Sequence, residues 1–200
     1  MATSLVETIQ KNLGYPELHK IDPNTQAVKG EITNVDTKEF GQAAIPTVLV
    51  GLYQYGSTEQ GSDDILRGNM STSWLDVFFT DKKEEVITKV AGYAGNSTVD
   101  TSSSMEKIAL EAVKIIREQT PDNASFTDVK SYVAQQRNSI LTYLPGELNI
   151  SNVVADSTLD DRTHKMEGPV SNAMHFFENL FSGSTTEKNE VSPEGKKDPL

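Results

Sequence analysis

The sequence predicts an all-α fold, an irregular multi-helix bundle with several short helices and a disordered C-terminal tail. Three observations point there. Apolar residues recur at three- and four-residue spacing along most of the chain, as one buried helix face requires. Ser, Thr or Asp stands ahead of several of these stripes, and Gly or Pro closes them. Only one stretch, Thr47–Tyr55, has the Val, Leu and Tyr content of a strand, and no second stretch could pair with it.

Length and charge narrow the function classes. Two hundred residues suit one domain with a tail, which we place at 1–181 and 182–200. At 36% hydrophobic residues the core is lean, as in a domain that completes itself against a partner. The chain has no cysteine, so disulfides, thiolate metal sites and thiol nucleophiles are excluded. A net charge of −11 opposes broad contact with phosphate backbones, so nucleic-acid binding is not expected. The first residues have no basic segment ahead of an apolar run, and no stretch reaches the roughly 20 apolar residues of a membrane span. The expectation is a soluble, cytoplasmic protein that touches neither membrane nor nucleic acid.

In chain order, Ser4 and Glu7 have capping-box spacing ahead of Leu5, Val6, Ile9 and Leu13, and Gly14 closes that helix. Pro16 suits the first position of a short second turn. Residues 38–55 read either as a helix kinked at Pro46 or as a short helix followed by a strand; the lack of a strand partner favours the helix. The run Gly51–Thr58 echoes a phosphate loop but lacks the lysine, so it is not read as a nucleotide site. Ser57–Ser62 reads as a loop, with Ser62 capping a helix that Gly68 ends and Asp63 and Asp64 in its first turn. Ser73 opens a helix that buries Trp74, Val77 and Phe78. Asp81 has capping spacing for a stripe from Val86 to Ala94 that Gly95 stops. Asn96–Ser103 reads as a Ser/Thr-rich loop.

The clearest helix follows. Met105, Ile108, Ala109, Ala112, Val113 and Ile116 make one stripe with charges opposite, and Pro121 ends it. Ser125 and Asp128 cap the next helix, whose stripe is interrupted at Gln135–Asn138 by an exposed turn or a partner contact. Leu148, Ile150, Val153 and Val154 mark a short linker.

The chemistry-bearing residues gather at Ser157–Phe181. Asp160 and Asp161 lie four and three residues before His164, and Glu167 lies three after, so all four can share a helix face. Carboxylates and imidazole in that pattern suit a divalent metal, with His175 able to join if the chain turns at Gly168-Pro169. The same pattern is ordinary helix punctuation, acids near a start and a histidine near an end. Phe176, Phe177, Leu180 and Phe181 form an apolar end that either closes the core or meets a partner. No stretch carries a family motif, a Ser-His-Asp order or a zinc signature. The leading expectation is therefore a non-catalytic helical protein acting through protein contacts, as an oligomer or accessory subunit, without a cofactor. The alternative is a divalent-metal-binding protein or metal-dependent hydrolase built on Asp160, Asp161, His164 and Glu167.

Overall fold

The computed structural model describes residues 4–21, 40–68, 71–121, 123–150 and 153. Among them the chain is all-α. The helices are α1 (Leu5–Asn12), α2 (Phe40–Gly56), α3 (Glu59–Arg67), α4 (Trp74–Phe79), α5 (Lys83–Ala94), α6 (Thr98–Gln119), α7 (Phe126–Gln135) and α8 (Arg137–Tyr143). Two 3₁₀ turns, Thr80–Lys82 and Gly146–Leu148, complete the described elements. The tail at 182–200 and the whole cluster at 157–181 lie outside the described residues.

The bundle is built around α2. Its sequence, FGQAAIPTVLVGLYQYG, has no charged residue, and it touches every other described α-helix. Ile45, Val48, Leu49, Val50 and Leu52 are all buried, so α2 spends apolar side chains on every side rather than on one stripe. The helix runs unbroken through Pro46, which resolves the two readings of Thr47–Tyr55 in favour of helix. Small residues let neighbours close in. A Cβ on Gly51 would stand 2.7 Å from the Phe79 ring, so α4 can pack at this distance only against glycine. The core then extends through Trp74, Leu75, Phe78 and Phe79 of α4, Val86, Ile87 and Val90 of α5, and the inner face of α6.

Buried polar groups tie the pieces together. Gln42 on α2 is buried, and its Oε1 accepts the His19 N–H at 2.7 Å. Its Nε2 donates to the carbonyls of His19 at 3.1 Å and Tyr143 at 2.7 Å. One side chain thus pins the segment after α1 to both α2 and the end of α8. In that same segment the Ile21 N–H donates to the Thr142 carbonyl at 2.8 Å. No strand forms among the described residues.

Several local expectations are corrected. Pro16 starts no helix: residues 15–20 have no regular secondary structure, and Gln42 holds the segment at His19. The Ser4 hydroxyl accepts the Glu7 N–H at 3.4 Å, but the Glu7 carboxylate turns away to accept the Tyr143 hydroxyl at 3.0 Å, so only half a capping box forms. Thr58, not Ser62, caps α3, accepting the Gly61 N–H at 3.0 Å; Ser62 is buried and donates to the Gly56 carbonyl at 2.7 Å. Asp63 and Asp64 therefore sit in mid-helix. Asp81 does not cap α5, which a 3₁₀ turn feeds instead. Most of the expected loop Asn96–Ser103 is the first turn and a half of α6, capped by Ser97. The polar interruption at Gln135–Asn138 is not a surface turn throughout: Gln136 is buried, and its Oε1 accepts the Leu5 N–H at 2.8 Å.

Candidate functional site

Asp160, Asp161, His164, Glu167 and His175 lie outside the described residues, as do Phe176, Phe177, Leu180 and Phe181. Among the described residues no group of three or more His, Cys, Asp or Glu side chains is placed to hold a metal ion. His19 is exposed, and the bonds described above use its backbone rather than its imidazole. Asp64 has its own partners. Its Oδ2 accepts the Tyr55 hydroxyl at 2.6 Å and the Gln60 amide at 2.9 Å, and Arg67 approaches Oδ1 at 3.9 Å. The Tyr55 bond, then Gln60, holds this carboxyl below the usual carboxylate range, against the opposing effect of burial.

The arrangement that stands out is on α6. Its inner face buries Thr101, Met105, Ile108, Ala109, Ala112, Val113, Ile115 and Ile116. Its outer face carries Val99, Ser103, Lys107, Leu110, Lys114 and Arg117, all exposed. At 100° per residue these six fall within about 80° of arc. Val99 is 77% exposed and Leu110 50%, and they are the two exposed large apolar side chains of the described residues. They are eleven residues apart, close to three full turns, so they point the same way.

Beside this stripe is a cleft of about 470 Å³ between the ends of α1 and α3, the start of α4 and the middle of α6. Leu13, Trp74, Leu110 and Val113 give it apolar walls, and Lys107, Lys114 and Arg117 stand around it with Glu111 as the one acid. Each group is held for a local reason. Arg117 donates from Nε to the Leu66 carbonyl at 3.1 Å. Its guanidinium lies across Gly68, where a Cβ would come within 2.2 Å of Nη1; Gly68 also has φ 70°, the left-handed cap that ends α3. Glu111 accepts the Asn12 amide at 2.7 Å and meets the Lys114 ammonium at 3.4 Å. Glu106, on the flank of the stripe, is turned inward to cap α4: Oε1 accepts the Trp74 N–H at 2.8 Å, and Oε2 accepts the Ser73 hydroxyl at 2.5 Å. Two of the acids of α6 are thereby engaged, Glu106 with the start of α4 and Glu111 with Asn12 and Lys114, while the exposed Lys107, Lys114 and Arg117 side chains border the cleft.

A second cleft of about 410 Å³ lies between α1, the segment that follows it and α8, with Glu7, Lys11, Glu17, Lys20 and Tyr143 on its walls. Burial, then the bond to Glu7, pushes the Tyr143 hydroxyl up to about 12, so it serves as a neutral donor. Its charges alternate in sign, and it offers no apolar floor comparable to Trp74 and Val113.

Trp74 was expected as core, and it is buried at 2% exposure with its ring 5.6 Å from that of Phe78. The outer stripe was missed. Val99 fell in what read as a loop, and Leu110 was passed over as an apolar residue off the main stripe. That mismatch was the available signal: an apolar residue among charges on a helix whose buried face is already complete.

No family model, no curated protein and no solved structure matches this chain.

Proposed function

We propose that the chain is a non-catalytic protein of the cytoplasm that works through contact with another protein, as an accessory or oligomeric subunit, and that the contact is made on the outer face of α6. One observation carries this reading. The two exposed large apolar side chains of the described residues, Val99 and Leu110, share a single stripe of a single helix. Singly exposed apolar residues mean little; Val99 and Leu110 stand about 16 Å apart along one face, and their alignment, with Leu110 on the rim of an apolar cleft, supports a docking surface. The excess of 29 acidic over 18 basic residues argues for a protein partner over a nucleic acid.

The test is a photo-crosslinking residue at position 110, compared with one at Thr88, an exposed position on α5. In the native cell, position 110 should give a discrete adduct that position 88 does not. A chain that stays monomeric by light scattering and gives no adduct from position 110 would sink the proposal.

A further inference from the structure

Resting on that reading, we infer that the outer face of α6 docks an acidic amphipathic helix of a partner protein. The spacing comes first. Lys107, Leu110, Lys114 and Arg117 stand at i, i+3, i+7 and i+10, the seam along which a second helix packs. At 3.6 residues per turn Val99 falls on the same face, so the stripe covers about 27 Å at 1.5 Å per residue, while the seven-residue seam itself continues beside it through Ser103 and Asp100. That length suits a partner helix of about five turns, seated 8–10 Å away axis to axis.

Charge then selects the partner. The stripe positions hold three cations and no acid, on a chain of net charge −11. Of the neighbouring acids, Glu106 caps α4, Glu111 is shared between Asn12 and Lys114, and Asp100 accepts the Ser97 hydroxyl. Glu118 remains on the flank near the C-terminal end. A partner with carboxylates at seven-residue intervals on either side of an apolar seam would set them against Lys107, Lys114 and Arg117. Its apolar side chains would meet Leu110 and Val99 and reach the cleft wall at Trp74. The same charges disfavour a second copy of this chain through this face. A symmetric antiparallel pairing centred between Leu110 and Glu111 brings Lys107 of one chain opposite Lys114 of the other, and like charges so placed are destabilising.

The experiment uses the full chain and two synthetic helical peptides of about three heptads, identical in their leucine seam, one with Glu and one with Lys flanking it. The single tryptophan, Trp74, lies in the cleft wall and reports occupancy. The Glu peptide should bind, shift the Trp74 emission and weaken at least tenfold as salt is raised well above physiological strength. The Lys peptide should bind at least tenfold more weakly. Lys107→Glu combined with Lys114→Glu should reverse that preference, and Leu110→Asp should abolish binding at unchanged thermal stability. Equal binding of the two peptides, both lost with Leu110→Asp, would keep the docking face but overturn its acidic partner. A dimer that Leu110→Asp dissociates would give the face to a second copy. Displacement of the Glu peptide by a peptide of residues 170–181 would give it to the chain's own C-terminal region. A monomer that binds neither peptide overturns this inference; the crosslinking result decides whether the broader reading falls with it.

Discussion

Among the described helices α2 and α6 are the two longest, and they use their length in opposite ways. In α2, 14 of 17 residues are buried, and the helix has no free face. In α6, 8 of 22 are buried, and the rest face outward or line its borders. A helix enclosed by every other one can only hold the fold together. A helix that buries one stripe has a second stripe whose composition is not dictated by packing, and there an exposed Leu and Val among cations call for a reason. The comparison separates what this chain needs in order to fold from what it has available for recognition.

The sharpest contrast comes from making the same change on each helix. Leu49 is fully buried in α2, so Leu49→Ala removes buried methyl groups and leaves a cavity, at a cost of about 2–5 kcal/mol. Equilibrium urea unfolding followed by circular dichroism measures it. A loss under about 1 kcal/mol would mean that the α2 environment relaxes, and α2 would no longer be the enclosed helix described here.

Next in size is the polar pin that α2 provides. Gln42→Leu is close in volume but leaves the His19 N–H and the His19 and Tyr143 carbonyls without their partner. Unsatisfied buried groups cost about 1–3 kcal/mol, and the amide of His19 should lose its protection from hydrogen exchange. Unchanged exchange at His19 would show that the segment after α1 is held by Leu18 and Ile21 packing instead.

How much of this was legible follows the same division. The amphipathic helices announced themselves, because their period and caps are local. Ser125 and Asp128 form the capping box that their spacing implies, and Gly68 and Gly95 end α3 and α5 in the left-handed conformation. The path of α2 was open at Pro46, because an interior proline either kinks a helix or breaks it, and the helical spacing around it does not say which. Contacts reaching across the fold were invisible. Glu106 caps α4 from more than thirty residues away, and Gln136 turns a polar interruption into a buried bond to α1. The candidate residues divide in the same way. Histidines and acids at 160–175 drew the eye as chemistry, whereas the stripe on α6 becomes visible only once the buried face of that helix is known.

A pH dependence tests a smaller term at the join of α2 and α3. Asp64 has its carboxyl held below the usual range, chiefly by the Tyr55 hydroxyl on α2. A group whose folded value is lowered stabilises the fold fully above its unfolded value, about 3.9, and that contribution is lost as pH falls through the lower folded value. Asp64→Asn should therefore be less stable than the parent at neutral pH, and the gap in urea midpoint should close in acid below about pH 4. A gap that stays constant from neutral to acid would mean that shape, not charge, matters at this position.

The smallest expected effect completes the comparison. Leu110→Ala makes the same chemical change as Leu49→Ala, but on a side chain that is 50% exposed. Away from buried features such a substitution stays within about 0.5 kcal/mol. Urea unfolding of the free chain should therefore hardly distinguish it from the parent. A residue so cheap for the fold, on a face where leucine is otherwise out of place, has its use elsewhere: the same substitution should still weaken docking of the acidic helix. If Leu110→Ala instead destabilises the free chain by 2 kcal/mol or more, the outer face of α6 is already covered in the folded molecule. The two helices would then differ only in which part of the chain encloses them.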